Sequence, residues 1–579
     1  MTDTPLMAEF PGVDTAEWER VIREDLKGAD SPRSLVWRAE EGLDIKPYYR
    51  AEDLDHVVHL KTRPEALSCV RGSQKAGWHI LERIDAESPA EANRVACKAV
   101  SDGAEAILFS NLRIANASDL AVALVHLDEI PVCFEDADRP LIRLLLERPG
   151  HRDDAAVIST GFNPLDDPDF AAAVLANRIG GFVPLSISAT EFHEQGATSA
   201  EEIGLALAAG AEFFDSMMER GIGIDQLAGS LTFSFATGPG FFLQIAKLRA
   251  LRVLWAQAVE SFGGQSRIWR ARIHARTARW NQAIYDPHVN ILRATTEAMS
   301  AVLGGADSIE VAAFNACYSS GDEMSRRLAR NTQLILKQEA DLARVADPGG
   351  GSYCLEVLTD AIARSAWELL QKIESEGGYR SACEKGVVDL LLCRRRDQRA
   401  RSVVSRKLVL TGTNRFADAS ESAMSRIGSG DALHSGRAAE PFEELRLRTE
   451  RHGARGSQKP RILLAEMGED RKSQSARSNF AMEFLACAGL ESRIMRFRRA
   501  EEIKTGDWDL IVLCSADAEY LSIASTLFER MTASVPVVVA GLPETADKLR
   551  ALGVAEFMHV RCNAVETLAN IQRLAGIKD

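Results

Sequence analysis

From about residue 65 to residue 390, short aliphatic and β-branched runs alternate with stretches of helical periodicity. The alternation predicts strands at Ser68–Arg71, Glu105–Ser110, Val132–Glu135, Ala156–Thr160, Val183–Ser188, Leu231–Ala236, Ile268–Thr277 and Ser308–Phe314. Helical stretches such as Ala90–Val100 and Ala200–Glu219 lie between most of them. Eight strands with helical crossovers over about 250–330 residues predict a (β/α)8 barrel of TIM type. A doubly wound sheet would give much the same pattern.

The stretch 394–460 reads differently. It is rich in Arg, Ser and Gly and holds only short apolar pieces such as Leu408-Val409-Leu410. A connector this long predicts a linker or a wrapping segment. Arg394-Arg395-Arg396 within it fits a solvated or ion-paired face better than a nucleic-acid site. From Arg461 a second α/β pattern begins, with strands predicted at Ile462–Ala465, Arg493–Arg496, Leu510–Cys514, Val535–Ala540 and Phe557–Val560. Five strands with helices between them predict a flavodoxin-like domain.

Composition narrows the picture. A chain of 579 residues is too long for one ordinary domain. Its 46% hydrophobic and 26% charged content fits a globular protein, and a net charge of −14 argues against a general nucleic-acid binder. No apolar run approaches the ~20 residues that span a bilayer. The start Met1-Thr2-Asp3-Thr4 has neither the basic segment of a secretory signal nor the arginines of a transit peptide. The ten cysteines are scattered without a Cys-x-x-Cys, as expected for reduced thiols in a cytoplasmic protein.

Three segments are long and specific. They are Gly238-Pro239-Gly240-Phe241-Phe242-Leu243-Gln244-Ile245-Ala246-Lys247-Leu248-Arg249-Ala250, the run from Met324 to Leu336, and Arg344-Val345-Ala346-Asp347-Pro348-Gly349-Gly350-Gly351-Ser352-Tyr353. From spacing alone, Phe241, Phe242, Ile245 and Leu248 share one helix face, as core residues do. Arg326, Arg327 and Arg330 suit either a phosphate or carboxylate ligand, or ion pairs within the chain. In wording, these segments resemble the methylmalonyl-CoA mutase family, from Ile45-Lys46-Pro47 to the C-terminal domain. The resemblance implies a (β/α)8 barrel that holds an acyl-CoA, followed by a flavodoxin-like cobalamin-binding domain. It also implies radical rearrangement with adenosylcobalamin.

Three constellations carry that chemistry in the family, and each is altered here. The first is the cobalt-binding loop, Asp-x-His-x-x-Gly. Aligned on Met467-Gly468, this chain offers Asp470, then Lys472 at the histidine position and Ser475 at the glycine position. An ammonium is a poor metal ligand because its lone pair is protonated. Asp470 is also suited to capping a helix or pairing with an arginine. The second is a Tyr-His pair after the fifth barrel strand. Counting back from Gly196-Ala197 puts Thr190 and Glu191 there, with His193 two residues further on. A hydrogen bond from His193 to local backbone or to Glu194 is expected rather than a slipped acid role. The third is a tyrosine after Arg71-Gly72. The stretch Ser73-Gln74-Lys75-Ala76-Gly77-Trp78 has none, and Trp78 is expected to pack. Gly541 retains half of a glycine pair, and reads as a turn glycine after a strand.

The resemblance therefore implies the small, non-catalytic subunit of the heterodimeric bacterial enzyme, with no catalytic, cofactor or metal residue of its own. Adenosylcobalamin is expected on a homologous large subunit as partner, with no nucleic acid and no membrane. The expected layout is an N-terminal arm at 1–64, a barrel at 65–393, a linker at 394–460 and a degenerate cobalamin-binding-like domain at 461–579. Two alternatives stay open: an active mutase with non-standard cobalamin ligation, and a sensor that binds an acyl-CoA weakly without converting it. For the latter, Thr160, Ser186, Ser188, Thr232 and Ser234 supply small polar groups to the barrel interior, with Phe233 and Phe235 outside it.

Overall fold

A computed structural model describes residues 12–26, 35–57, 59–61, 77–135, 137–147, 157–177, 185–264, 270–319, 321–427, 436–456, 458–531 and 535–578. The strand expected at Ser68–Arg71, Arg71-Gly72 and the residues up to Ala76 lie outside these.

Eight parallel strands form the first sheet. In chain order they are β1 (His79–Asp85), β2 (Ala106–Ser110), β3 (Val132–Phe134), β4 (Val157–Ser159), β5 (Leu185–Ser188), β6 (Leu231–Thr237), β7 (Arg272–Thr277) and β8 (Ser308–Glu310). Their order across the sheet is β4-β3-β2-β1-β8-β7-β6-β5. The two end strands are brought together by a parallel bridge between Phe162 and Leu185, so the sheet curls round as a TIM-type barrel does. Seven of the expected strands are present near their expected bounds. β1 is not among the expected strands. Its sequence, HILERID, mixes charged with aliphatic residues, and both Glu82 and Arg83 are held in ion pairs.

The helix Ser199–Glu219 shows why packing here depends on small residues. It is buried along most of its length against the helices Phe241–Ser261 and Tyr353–Ser375. A Cβ on Gly204 would lie 2.9 Å from Leu369, and one on Gly210 would lie 2.9 Å from the Trp255 ring. The N-terminal segment is tied down by charge. His59 bonds Glu356 at 2.7 Å, and Glu356 also receives Arg249 at 2.8 Å.

The stretch expected as a connector is partly helical. Arg394–Val404 completes the helix Val387–Val404, and Glu440–Ala454 forms another. Arg395 pairs with Glu201 at 2.8 Å, as an ion-paired face should.

The second sheet is also parallel. Its strands are β9 (Ile462–Glu466), β10 (Ser492–Arg496), β11 (Leu510–Cys514), β12 (Val537–Ala540) and β13 (Glu556–Met558), in the order β10-β9-β11-β12-β13. It shares a hydrophobic cluster with the barrel side. Trp280, Val403, Leu410 and Phe442 pack with Leu464, Phe484 and Val512.

Candidate functional site

The barrel lumen is built by a simple rule. Successive side chains of a strand point to opposite faces, so inward positions are two residues apart. Leu81 and Arg83, Ser186 and Ser188, Thr232 and Ser234, His274 and Arg276, and Ser308 and Glu310 are such pairs, and all line one chamber of about 320 Å3. Ser188, Ser234, His274 and Ser308 stand in register across four neighbouring strands. Four of the five hydroxyl residues expected in the interior line this chamber. Thr160 instead is buried with its hydroxyl on the Phe162 N–H at 3.3 Å. Phe233 packs outside the barrel, on Trp255.

Charged side chains cross this chamber, and no local sequence pattern announces their roles. Arg83 donates to Glu310 at 2.6 Å and to Glu135 at 2.5 Å, with a second, shorter bond to Glu135. His274 meets Ser308 at 3.0 Å, with Glu310 at 3.9 Å. Burial alone would raise the Glu310 carboxyl, but Arg83, His274 and Arg276 outweigh it and hold it well below the usual range. The available signal was a polar residue at every second place within an apolar strand, as in Arg272–Thr277.

Thr190 and Glu191 begin the short helix Thr190–Glu194, directly after β5. Thr190 is buried, and its hydroxyl meets that of Ser188 at 2.6 Å. Glu191 is exposed and lies 3.4 Å from Arg276. Neither side chain is a phenol or an imidazole.

His193 departs from expectation. Its partner is Glu202 on the following helix, at 2.8 Å from Nδ1, and not Glu194. Glu194 accepts the Arg279 N–H instead. Glu202 is fully buried between His193 and Lys247, which donates to it at 2.8 Å and to the Ala236 carbonyl at 2.6 Å. Burial would raise the Glu202 carboxyl, but Lys247 and then His193 keep it below its usual value. A buried carboxylate held by two partners fixes the helix against β6, and removing Lys247 would take away its fixed counter-charge. Trp78 packs as expected, and its indole N–H also donates to Gln333 at 3.1 Å. Phe242, expected in the core, is half exposed.

In the second sheet, the helix Arg471–Ala486 starts immediately after Asp470. Asp470 is its N-cap. Its carboxylate accepts the Lys472 N–H at 3.0 Å and the Ser473 N–H at 3.4 Å, and the Ser473 hydroxyl at 2.6 Å. Lys472 is exposed on the first turn, and Ser475 lies inside the helix.

The crevice beside this turn is occupied by the protein's own groups. Glu519 accepts the Glu469 N–H at 2.8 Å and the Ser515 hydroxyl at 2.7 Å, and lies so close that a Cβ on Gly468 would clash with it. Tyr520 joins the Ser515 N–H to the Ala540 carbonyl, which it reaches at 2.7 Å. Arg477 pairs with Asp517 at 2.9 Å beside Gly541, whose φ of +151° favours glycine. These residues do not fit a corrinoid. The position expected for the ligand holds an ammonium, and the aspartate is committed to its helix.

A parallel barrel with a polar lumen, followed by a second parallel sheet, defines a two-sheet α/β protein built on an enzyme-type barrel. The chain belongs to the methylmalonyl-CoA mutase family, whose sequence model matches residues 170–461. It is 32% identical to the methylmalonyl-CoA mutase small subunit of Porphyromonas gingivalis, over 99% of both chains. It is 30% identical to the small subunit of Streptomyces virginiae, over 99% of this chain and 98% of that one. To the methylmalonyl-CoA mutase of Rhizobium meliloti it is 27% identical, over 86% of this chain and 76% of that one.

Proposed function

We propose that this chain is the non-catalytic small subunit of a heterodimeric methylmalonyl-CoA mutase. In this reading a homologous large subunit holds adenosylcobalamin and interconverts succinyl-CoA and methylmalonyl-CoA. This chain supplies structure and an interface, and neither cobalt ligand nor barrel acid. The carrying observation is the turn after β9, where Asp470 caps its own helix and Lys472 stands exposed at the ligand position. Thr190 and Glu191 in the barrel support the same reading independently. So does near-full-length similarity to chains named as small subunits.

The 2-1-3-4-5 strand order supports a flavodoxin-like second domain, kept for folding and docking. The arm at 1–64, barrel at 65–393, connector at 394–460 and C-terminal domain at 461–579 are the units we assign. The Arg83–Glu135–Glu310 bridge argues against an acyl-CoA threading the lumen. The described cysteines are thiols, in keeping with the reducing cytoplasm. No helix among the described residues is long and apolar enough to cross a membrane.

Native mass measurement tests the assembly. Mixing this chain with the cobalamin-bearing homologue from the same genome should give a one-to-one complex. A chain that stays monomeric with no affinity for that homologue would contradict the proposal.

A further inference from the structure

A smaller cavity of about 70 Å3 lies at the carboxyl ends of β7, β8 and β1, beside the lumen. Arg276 and Arg279 line it at and just after the end of β7, and Asp85 from the end of β1. Arg326 and Arg330 line it from the helix Glu323–Leu334. The subunit reading gives it no role.

Five guanidinium groups, Arg83, Arg276, Arg279, Arg326 and Arg330, line it against three carboxylates, Glu82, Asp85 and Glu310. Arg330 is committed to Glu82 and Asp102, as Arg83 is to Glu135 and Glu310. Arg326 has a carbonyl at 2.8 Å but a carboxylate only at 3.9 Å. Arg276, nine-tenths buried, reaches Glu191 at 3.4 Å and Glu194 at 3.9 Å, and its Nε is buried without a partner. Among the described residues, Arg279 has no carboxylate within ion-pair distance. Burial and then the charge of Arg276 pull its guanidinium below the usual range. On the acidic side, Glu82 and Glu310 are taken up by Arg330 and Arg83, and Asp85 is exposed and already accepts Asn111 at 2.7 Å.

A desolvated guanidinium with no carboxylate at ion-pair distance, as at Arg279, is costly, and a bound anion offsets that cost. The volume is that of roughly two waters, at ~30 Å3 each, and suits one small anion. The fork of an arginine matches the oxygens of a phosphate. The position is also apt, because the loops after the seventh and eighth strands of such barrels commonly hold phosphate. We propose that this cradle binds a tetrahedral oxyanion, a phosphate either free or as the terminal monoester of a metabolite, through Arg276, Arg279 and Arg326. This does not depend on the subunit assignment.

Titration calorimetry of the full chain with inorganic phosphate, and separately with glycerol phosphate, tests it against sodium chloride of matched ionic strength. One-to-one saturable binding is expected. Arg279→Ala should weaken it by about tenfold or more, and Arg279→Lys by less. Arg326→Ala gives a second reading from a partly exposed position. Arg113→Ala, which breaks an exposed pair with Glu87, should bind as the parent does. Tighter binding of the ester identifies a monoester, and binding of inorganic phosphate alone identifies the free ion. No saturable heat from either probe, or parent-like binding in both folded arginine-to-alanine variants, would overturn the proposal.

Discussion

Asp470 uses its carboxylate on its own helix, and the proposed function rests on that single use. An N-cap carboxylate satisfies amides that the first turn would otherwise leave without a partner. Asp470→Ala should therefore lower the urea midpoint of unfolding. Lys472→His restores the imidazole and nothing else, since Glu519 and the Arg477–Asp517 pair still stand beside the turn. It should leave the purified chain unable to bind a corrinoid in visible spectra. Glu297 gives a second residue-scale test. Burial, only partly opposed by the Asn281 hydrogen bond and by Arg293, pushes its carboxyl up to about 8. In the unfolded chain the same group titrates near ~4.3. The folded state thus holds a proton that the unfolded state has lost. The stability this supplies is full below about pH 4.3 and is lost as pH rises through about 8. Glu297→Gln keeps an acceptor for Asn281 without ionising. Its melting temperature should decline less than the parent's between pH 5 and about 8. An unchanged slope would contradict this.

At the scale of elements, the same substitution should have opposite signs in two helices. Gly210 is in a buried helix, and a Cβ there meets the Trp255 ring at 2.9 Å. Overpacking costs about 1–3 kcal/mol, against a helix-propensity gain of up to ~1 kcal/mol, so Gly210→Ala should destabilise. Gly453 lies in the helix Glu440–Ala454, and a Cβ added there would have nothing within 4 Å. Gly453→Ala should stabilise by about 0.5–1 kcal/mol. Chemical denaturation of the two variants reads both signs. Strand runs such as Leu510–Cys514 were legible because both faces are buried, which makes them continuously apolar. β1 was hidden because Glu82 and Arg83 each have distant partners, Arg330 and Glu310, which no local pattern announces. The helix continuing through Arg394–Val404 was obscured in the same way, by a charged surface resting partly on Glu201. At the site, the identities of Thr190, Glu191 and Lys472 were legible in the sequence, and their placement after a strand, on the first turn of a helix, followed from the predicted elements. The network of Arg83, Glu135, His274 and Glu310 needed the barrel to close before its members met.

At the scale of the molecule, two parallel sheets share an apolar cluster, and under the proposed function they keep the outline of a mutase without its chemistry. The lumen is bridged by ion pairs, and beside the turn after β9 Glu519, Tyr520 and Arg477 bond to the protein's own groups. The most direct test is reconstitution of the purified chain with adenosylcobalamin, followed by its visible spectrum and its turnover of methylmalonyl-CoA. This account predicts neither bound corrinoid nor turnover from the chain alone, and one corrinoid with turnover once the large homologue is added. Stoichiometric corrinoid and turnover on the isolated chain would contradict it.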